Sequence, residues 1–159
     1  MESVINVANY IAYVYCKKYG AFIDEMKLHK LMYFAQRESF VQTGGPLFDA
    51  VFYGWKYGPV LKEVRSLYSF YKTGGFSQIT KPELNETSIA VIERVLDEYA
   101  EKDSWSLSRL THGELSWKNS RKNIPEDENS DNPINCEDIK IDADRVRSRR
   151  TMLSELGLI

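Results

Sequence analysis

The sequence predicts a mainly α-helical fold, a compact multi-helix single domain around a buried central helix, with one short β-hairpin. Three observations predict it. The segment Lys27–Val41 is apolar most of the way round: Leu28, Leu31, Met32 and Ala35 share one helical face, and Tyr33, Phe34 and Phe40 widen it. A helix with so little solvent side is packed by neighbours on several sides. Apolar stripes at helical spacing recur before and after it. Glycine and proline pairs then punctuate the chain at Gly44-Gly45-Pro46, Gly58-Pro59 and Gly74-Gly75.

Taken in order, Val4, Ala8, Ile11, Ala12, Tyr15 and Tyr19 mark a first helix over about 3–18, with Ser3 as cap and Gly20 as terminator. Asp24 caps the central helix, and the short link predicts antiparallel packing of the two. Asp49–Lys56 is rich in Val, Phe, Tyr and Trp and favours a short strand or ordered loop. Gly58-Pro59 opens a third helix over 60–72, with proline in its first turn. Phe76–Thr80 is expected to pair with the first strand. Asn85, Thr87 or Ser88 caps a fourth helix carrying Ile89, Ile92, Val95, Leu96 and Tyr99. Ser106 caps a short helix with Leu107 and Leu110. Gly113 breaks it, and Glu114–Lys122 turns around Trp117. The acidic, Pro-bounded run Pro125–Pro133 has the composition of an exposed loop or mobile linker. A last helix is expected over 142–156, capped by Asp142, with a thin stripe of Val146, Leu153 and Leu156.

The length of 159 residues suits one domain, and 43% hydrophobic with 13% aromatic residues marks a globular chain. A net charge of −2 provides no general affinity for nucleic acid. The balance is uneven: Glu126–Asp144 holds eight acidic residues and one basic residue, and Arg145, Arg147, Arg149 and Arg150 follow. Two cysteines, Cys16 and Cys136, make neither a disulfide framework nor a zinc site, and fit reduced thiols in the cytoplasm. No run of about 18 apolar residues is present, so no membrane partner is expected. The Met-Glu-Ser start lacks the basic region of a signal peptide.

No catalytic constellation emerges. His112 and Glu114 invite a metal or acid–base site, but a metal needs three or four convergent ligands and His29 lies far along the chain. The group Thr111, His112, Glu114 and Trp117 is therefore expected to be structural. Neither glycine pair forms G-x-G-x-x-G or a P-loop, so no cofactor is expected. The aromatic run Tyr53, Trp55 and Tyr57 has two readings: rings that complete the core, or exposed anchors of the kind enriched at interface hot spots, flanked by Lys56.

Several blocks together carry a resemblance. Lys30-Leu31-Met32-Tyr33-Phe34-Ala35-Gln36, Gly45-Pro46-Leu47-Phe48-Asp49 and Trp55-Lys56-Tyr57-Gly58-Pro59-Val60 occur in order. Leu107–His112 with Glu114 and Trp117 follows downstream. In order and spacing they resemble the Panacea antitoxin domain, the group of SocA-like antitoxins and GepA-type phage-associated proteins, over about Val4 to Arg121. The resemblance implies a non-enzymatic antitoxin that neutralises a cognate protein toxin by direct binding. A SocA-type alternative implies a proteolytic adaptor that delivers the toxin to a protease. A DNA-binding regulator of its own operon needs a basic recognition helix, and the best basic helix here follows an acidic run.

The expected organisation is a Panacea-like helical domain over 1–122, followed by an acidic linker and Arg-rich helix over 123–159. A partner is expected to dock on Trp55, Lys56 and Tyr57, beside the rigid Gly58-Pro59 turn, with Arg145 and Arg149 as a second contact.

Overall fold

The computed structural model describes residues 1–159. Its organising element is helix α2, Glu25–Thr43. The Asp24 carboxylate accepts from the Lys27 amide at its start, and Gly44, with φ of +78°, closes its end. Fourteen consecutive residues, Lys27 to Phe40, are buried. Around it pack α1 (Val4–Tyr19), β2 (Gly58–Leu61), α3 (Lys62–Lys72), α4 (Glu86–Tyr99), α5 (Ser104–His112) and α7 (Cys136–Glu155). β1 (Phe52–Trp55) and the short α6 (Leu115–Ser120) complete the shell. No helix is long and apolar enough to cross a membrane.

The expected central helix is thus present, but its burial reaches further than its apolar face. Seven polar residues of α2 are buried. A buried polar group is costly unless paired, and nearly all of these groups hold a neighbouring element. Lys27 donates to the Ala100 carbonyl at the end of α4, 3.0 Å away. Gln36 donates to the Phe48 carbonyl and accepts from the amides of Leu47 and Phe48. Tyr33 donates to Asp142 of α7 at 3.2 Å and shares a bond with Ser116 of α6. Arg37 pairs with Glu114 and donates to Tyr99 of α4. Glu38 receives both ends of the Arg150 fork from α7, at 2.6 and 2.9 Å.

Four local expectations are corrected. The partner of β1 is Gly58–Leu61, in antiparallel register Phe52↔Leu61 to Trp55↔Gly58, and not Phe76–Thr80. The latter region instead contains a 3-10 turn, Gly75–Gln78. Pro59 therefore lies in β2 opposite Gly54, and α3 starts at Lys62. The cap of α5 is Asp103, whose carboxylate accepts from Ser106. Finally, α7 starts two turns early, at Cys136, capped by Asn135.

Asp142 is consequently inside α7 rather than at its start. Its carboxylate accepts from the Leu115 and Ser116 amides, both at 2.9 Å, and so caps α6 from another helix. This explains how α7 docks despite its thin stripe. Ile139, Asp142 and Ala143, ahead of the expected stripe, are its buried residues. Arg147 adds donors to the Phe40 and Val41 carbonyls in the last turn of α2, the former already accepting from the Gly44 amide.

The acidic run between α6 and α7 is irregular, as its composition implies, but it is strapped along β1. The Gly54 amide donates to the Asn132 carbonyl at 2.8 Å, and the Ile134 amide to the Phe52 carbonyl at 2.7 Å. Pro133 bridges to Tyr53. Arg121, buried, gathers the Gly54, Pro125 and Glu128 carbonyls. The free edge of the two-stranded hairpin is thereby covered.

Candidate partner-binding site

The tight connection between β1 and β2 consists of Lys56 and Tyr57. Gly58 follows with φ of +116°, a region that disfavours side chains. A Cβ there would also lie 2.5 Å from Thr111 Oγ1 and 2.7 Å from Lys30 Cε. Glycine is thus required at this position twice over, by conformation and by space.

The hairpin backbone is pinned from several sides. Trp117 Nε1 donates to the Trp55 carbonyl at 2.8 Å, and Ser108 Oγ to the Tyr57 carbonyl at 2.7 Å. Lys30 Nζ donates to the Pro59 carbonyl at 3.3 Å, and the Lys56 amide to Asn129 Oδ1 at 3.2 Å. The Leu61 amide donates to His29 Nδ1 at 3.2 Å. That bond places the ring proton on Nε2, which donates to Glu25 at 3.1 Å. Burial holds His29 below its ordinary pKa, against the pull of Glu25. Lys30 is 2% exposed, and burial pulls its ammonium down to about 7. These bonds fix the turn before any partner arrives.

What the turn presents outward is aromatic. Tyr57 is 45% exposed, and its ring meets that of Trp105, 55% exposed, edge to face at 5.2 Å. Lys56 Nζ lies 5.3 Å from the Tyr57 centroid. Trp55, half-buried, is turned to intramolecular contacts: its indole donates to Asp131 at 2.8 Å and its ring faces Arg65. Trp55 thus lies outside the core, held at the surface by Asp131 and Arg65, while the Tyr57 ring is exposed. A cavity of about 510 Å³ adjoins the turn, lined by Met26, His29, Lys30, Trp55, Tyr57 and Arg65 among others.

Trp105 is absent from the sequence-level expectation. Its only local signal was its place in the first turn of α5, one residue after the start, where an apolar stripe does not require it. Arg145 and Arg149 lie elsewhere: they line a separate cleft that shares no residue with the cavity at the turn. His112 and Glu114 also part company. His112 stacks on Trp117 at 4.0 Å, while Glu114 turns to Arg37. Burial and the nearby Lys30 ammonium hold the His112 imidazole below its usual pKa.

Residues 28–118 match the family model of the antitoxin SocA-like Panacea domain, more than half of the chain. The chain belongs to this family. The matched span contains most of α2, the hairpin, α3, α4 and α5, and therefore the turn and Trp105. No curated protein and no solved structure matches the chain.

Proposed function

We propose that this protein is the antitoxin of a toxin–antitoxin system, acting in the cytoplasm and neutralising a cognate protein toxin by direct binding. The toxin docks on the face formed by Lys56, Tyr57 and Trp105, with Trp55 as the buttress behind them. Membership of the antitoxin-like family supports the class. One observation carries the location: an exposed edge-to-face aromatic pair sits on a turn whose backbone is already hydrogen-bonded. Aromatic anchors on a rigid support bind with little ordering cost.

The test is co-expression with the toxic reading frame encoded beside this one. Lys56→Glu with Tyr57→Ala, and separately Trp105→Ala, are expected to abolish protection of the cells at unchanged antitoxin abundance. Toxin levels should stay constant during protection, because binding and not delivery to a protease silences it. Full protection by both variants would place the interface elsewhere, and falling toxin levels would favour the adaptor mode.

A further inference from the structure

We propose that the cleft between α2, α4 and α7 is a binding site for a phosphate-bearing small molecule. The cleft has a volume of about 480 Å³, within the size range of small-ligand sites. Five arginines line it: Arg37, Arg94, Arg145, Arg149 and Arg150. They come from three helices far apart in sequence, so their convergence is a property of the fold.

Most of the cleft's charges are already matched within the protein. Arg150 gives its fork to Glu38 and lies 3.8 Å from Glu98. Arg94 lies 3.8 Å from Glu38. Arg37, 6% exposed, pairs with Glu114 and donates to Tyr99. Its Nε is buried without any partner. The lining carboxylates are Glu98, Glu114 and Asp142. Asp142 accepts from two amides and the Tyr33 hydroxyl, so its oxygens are occupied.

Arg145 and Arg149 are the exception. Both are exposed, and neither forms a hydrogen bond or ion pair. They stand one turn apart on α7, a spacing at which like charges repel. No carboxylate in the cleft lies within ion-pair distance of either arginine; the loosest, Glu98, is 3.8 Å from Arg150. An anion between the two guanidinium forks removes the repulsion. Phosphoryl oxygens suit planar arginine donors, which bind them in bidentate fashion. Leu110, Val146 and Leu153 line the same cleft and offer an apolar wall to the uncharged body of an organic phosphate. The cleft's concavity favours a compact ligand over an extended acidic peptide.

This site is independent of the toxin-binding face, with which it shares no residue. The test is calorimetric titration of the full chain, free of divalent metal, with inorganic phosphate, pyrophosphate and adenosine diphosphate. Adenosine and a glutamate-rich peptide serve as controls. Saturable binding of at least one phosphate is expected, weakened about tenfold or more in the double variant Arg145→Gln, Arg149→Gln. That variant removes no hydrogen bond or ion pair of the folded protein, so its melting temperature without ligand should match the parent's. Tighter binding of the diphosphate ester than of pyrophosphate assigns the site to organic phosphates; equal binding assigns it to the free anions. No binding of any phosphate overturns the proposal. So does phosphate binding that the double variant leaves intact, or a glutamate-rich peptide that binds while the phosphates do not.

Discussion

The hairpin turn and the arginine cleft both lie against α2, and both combine cations with aromatic rings, yet they are finished differently. At the turn the backbone is matched inside the protein: carbonyls of Gly54, Trp55, Tyr57 and Pro59 all receive side-chain donors. What is left over is ring surface on Tyr57 and Trp105, with the Lys56 ammonium over the Tyr57 ring. In the cleft charge is left over, on Arg145 and Arg149, beside the apolar wall of Leu110, Val146 and Leu153. A surface whose backbone is matched and whose exposed area is largely aromatic gains from excluding water, and so suits a protein partner. A surface with unmatched cations gains from an anion.

The comparison assumes that both regions hang on one cooperative shell, and the largest test removes that shell. Deleting 123–159 takes away Ile134, Ile139, Ala143, Asp142 and Arg150, leaving Glu38 without the Arg150 fork and the Leu115 and Ser116 amides without Asp142. The variant is expected to show no cooperative unfolding transition by circular dichroism. A sharp transition near that of the parent would show that 1–122 is a self-sufficient domain.

Next in size is the pH dependence set by Lys30 beneath the turn. Its folded pKa, about 7, lies below the ordinary 10.5. The folded state therefore sheds a proton that the unfolded chain retains. The stability from the neutral amine is complete above about pH 10.5 and is lost as pH falls toward 7. Relative to Lys30→Met, the parent should gain roughly 3–4 kcal/mol between pH 7 and 10 in urea unfolding. Parallel stability curves for the two proteins would mean that Lys30 stays charged under Pro59.

A third test strains the turn without touching its outward rings. Gly58→Ala should cost roughly 2–4 kcal/mol, since it adds both a disfavoured φ and a close contact with Thr111 and Lys30. The urea midpoint reads it directly. The smallest effects are expected at the two surfaces themselves. Tyr57→Ala with Trp105→Ala, and Arg145→Gln with Arg149→Gln, should each shift stability by less than about 1 kcal/mol. A larger loss in the aromatic variant would make those rings structural, and the contrast between the regions would fail.

The sequence disclosed these features unequally, and for physical reasons. The burial of Leu28, Leu31, Met32 and Ala35 was legible because it is written as a local period. The caps at Ser3, Asp24 and Asn85 were legible because each acts within three residues. Pro59 was not, since Gly-Pro opens a helix or enters a strand equally well by local preference. The deciding contacts come from His29 and Lys30, about thirty residues earlier. Asp142 resembled a helix start because aspartate usually caps its own helix; here it caps α6. In the candidate site, Tyr57 was legible as a ring beside a rigid turn, whereas Trp105 joins it only through the packing of α5 under the hairpin. The cleft was hidden for a similar reason. Arg145 and Arg149 read as a second contact for the partner at the turn; only the fold sets Arg37, more than a hundred residues away, beside them.

The long reach of α2 also bears on how the protein is made. Tyr33 and Glu38 are synthesised early, but their partners Asp142 and Arg150 lie 109 and 112 residues later. At roughly 5–20 residues per second, a ribosome takes on the order of 5–20 seconds to supply them. Throughout that interval the most deeply buried helix of the chain has an incomplete covering, and the carboxylate of Glu38 has no Arg150. The nascent protein is therefore a natural client for chaperones and proteases until its final helix emerges, and premature termination within α7 leaves it one.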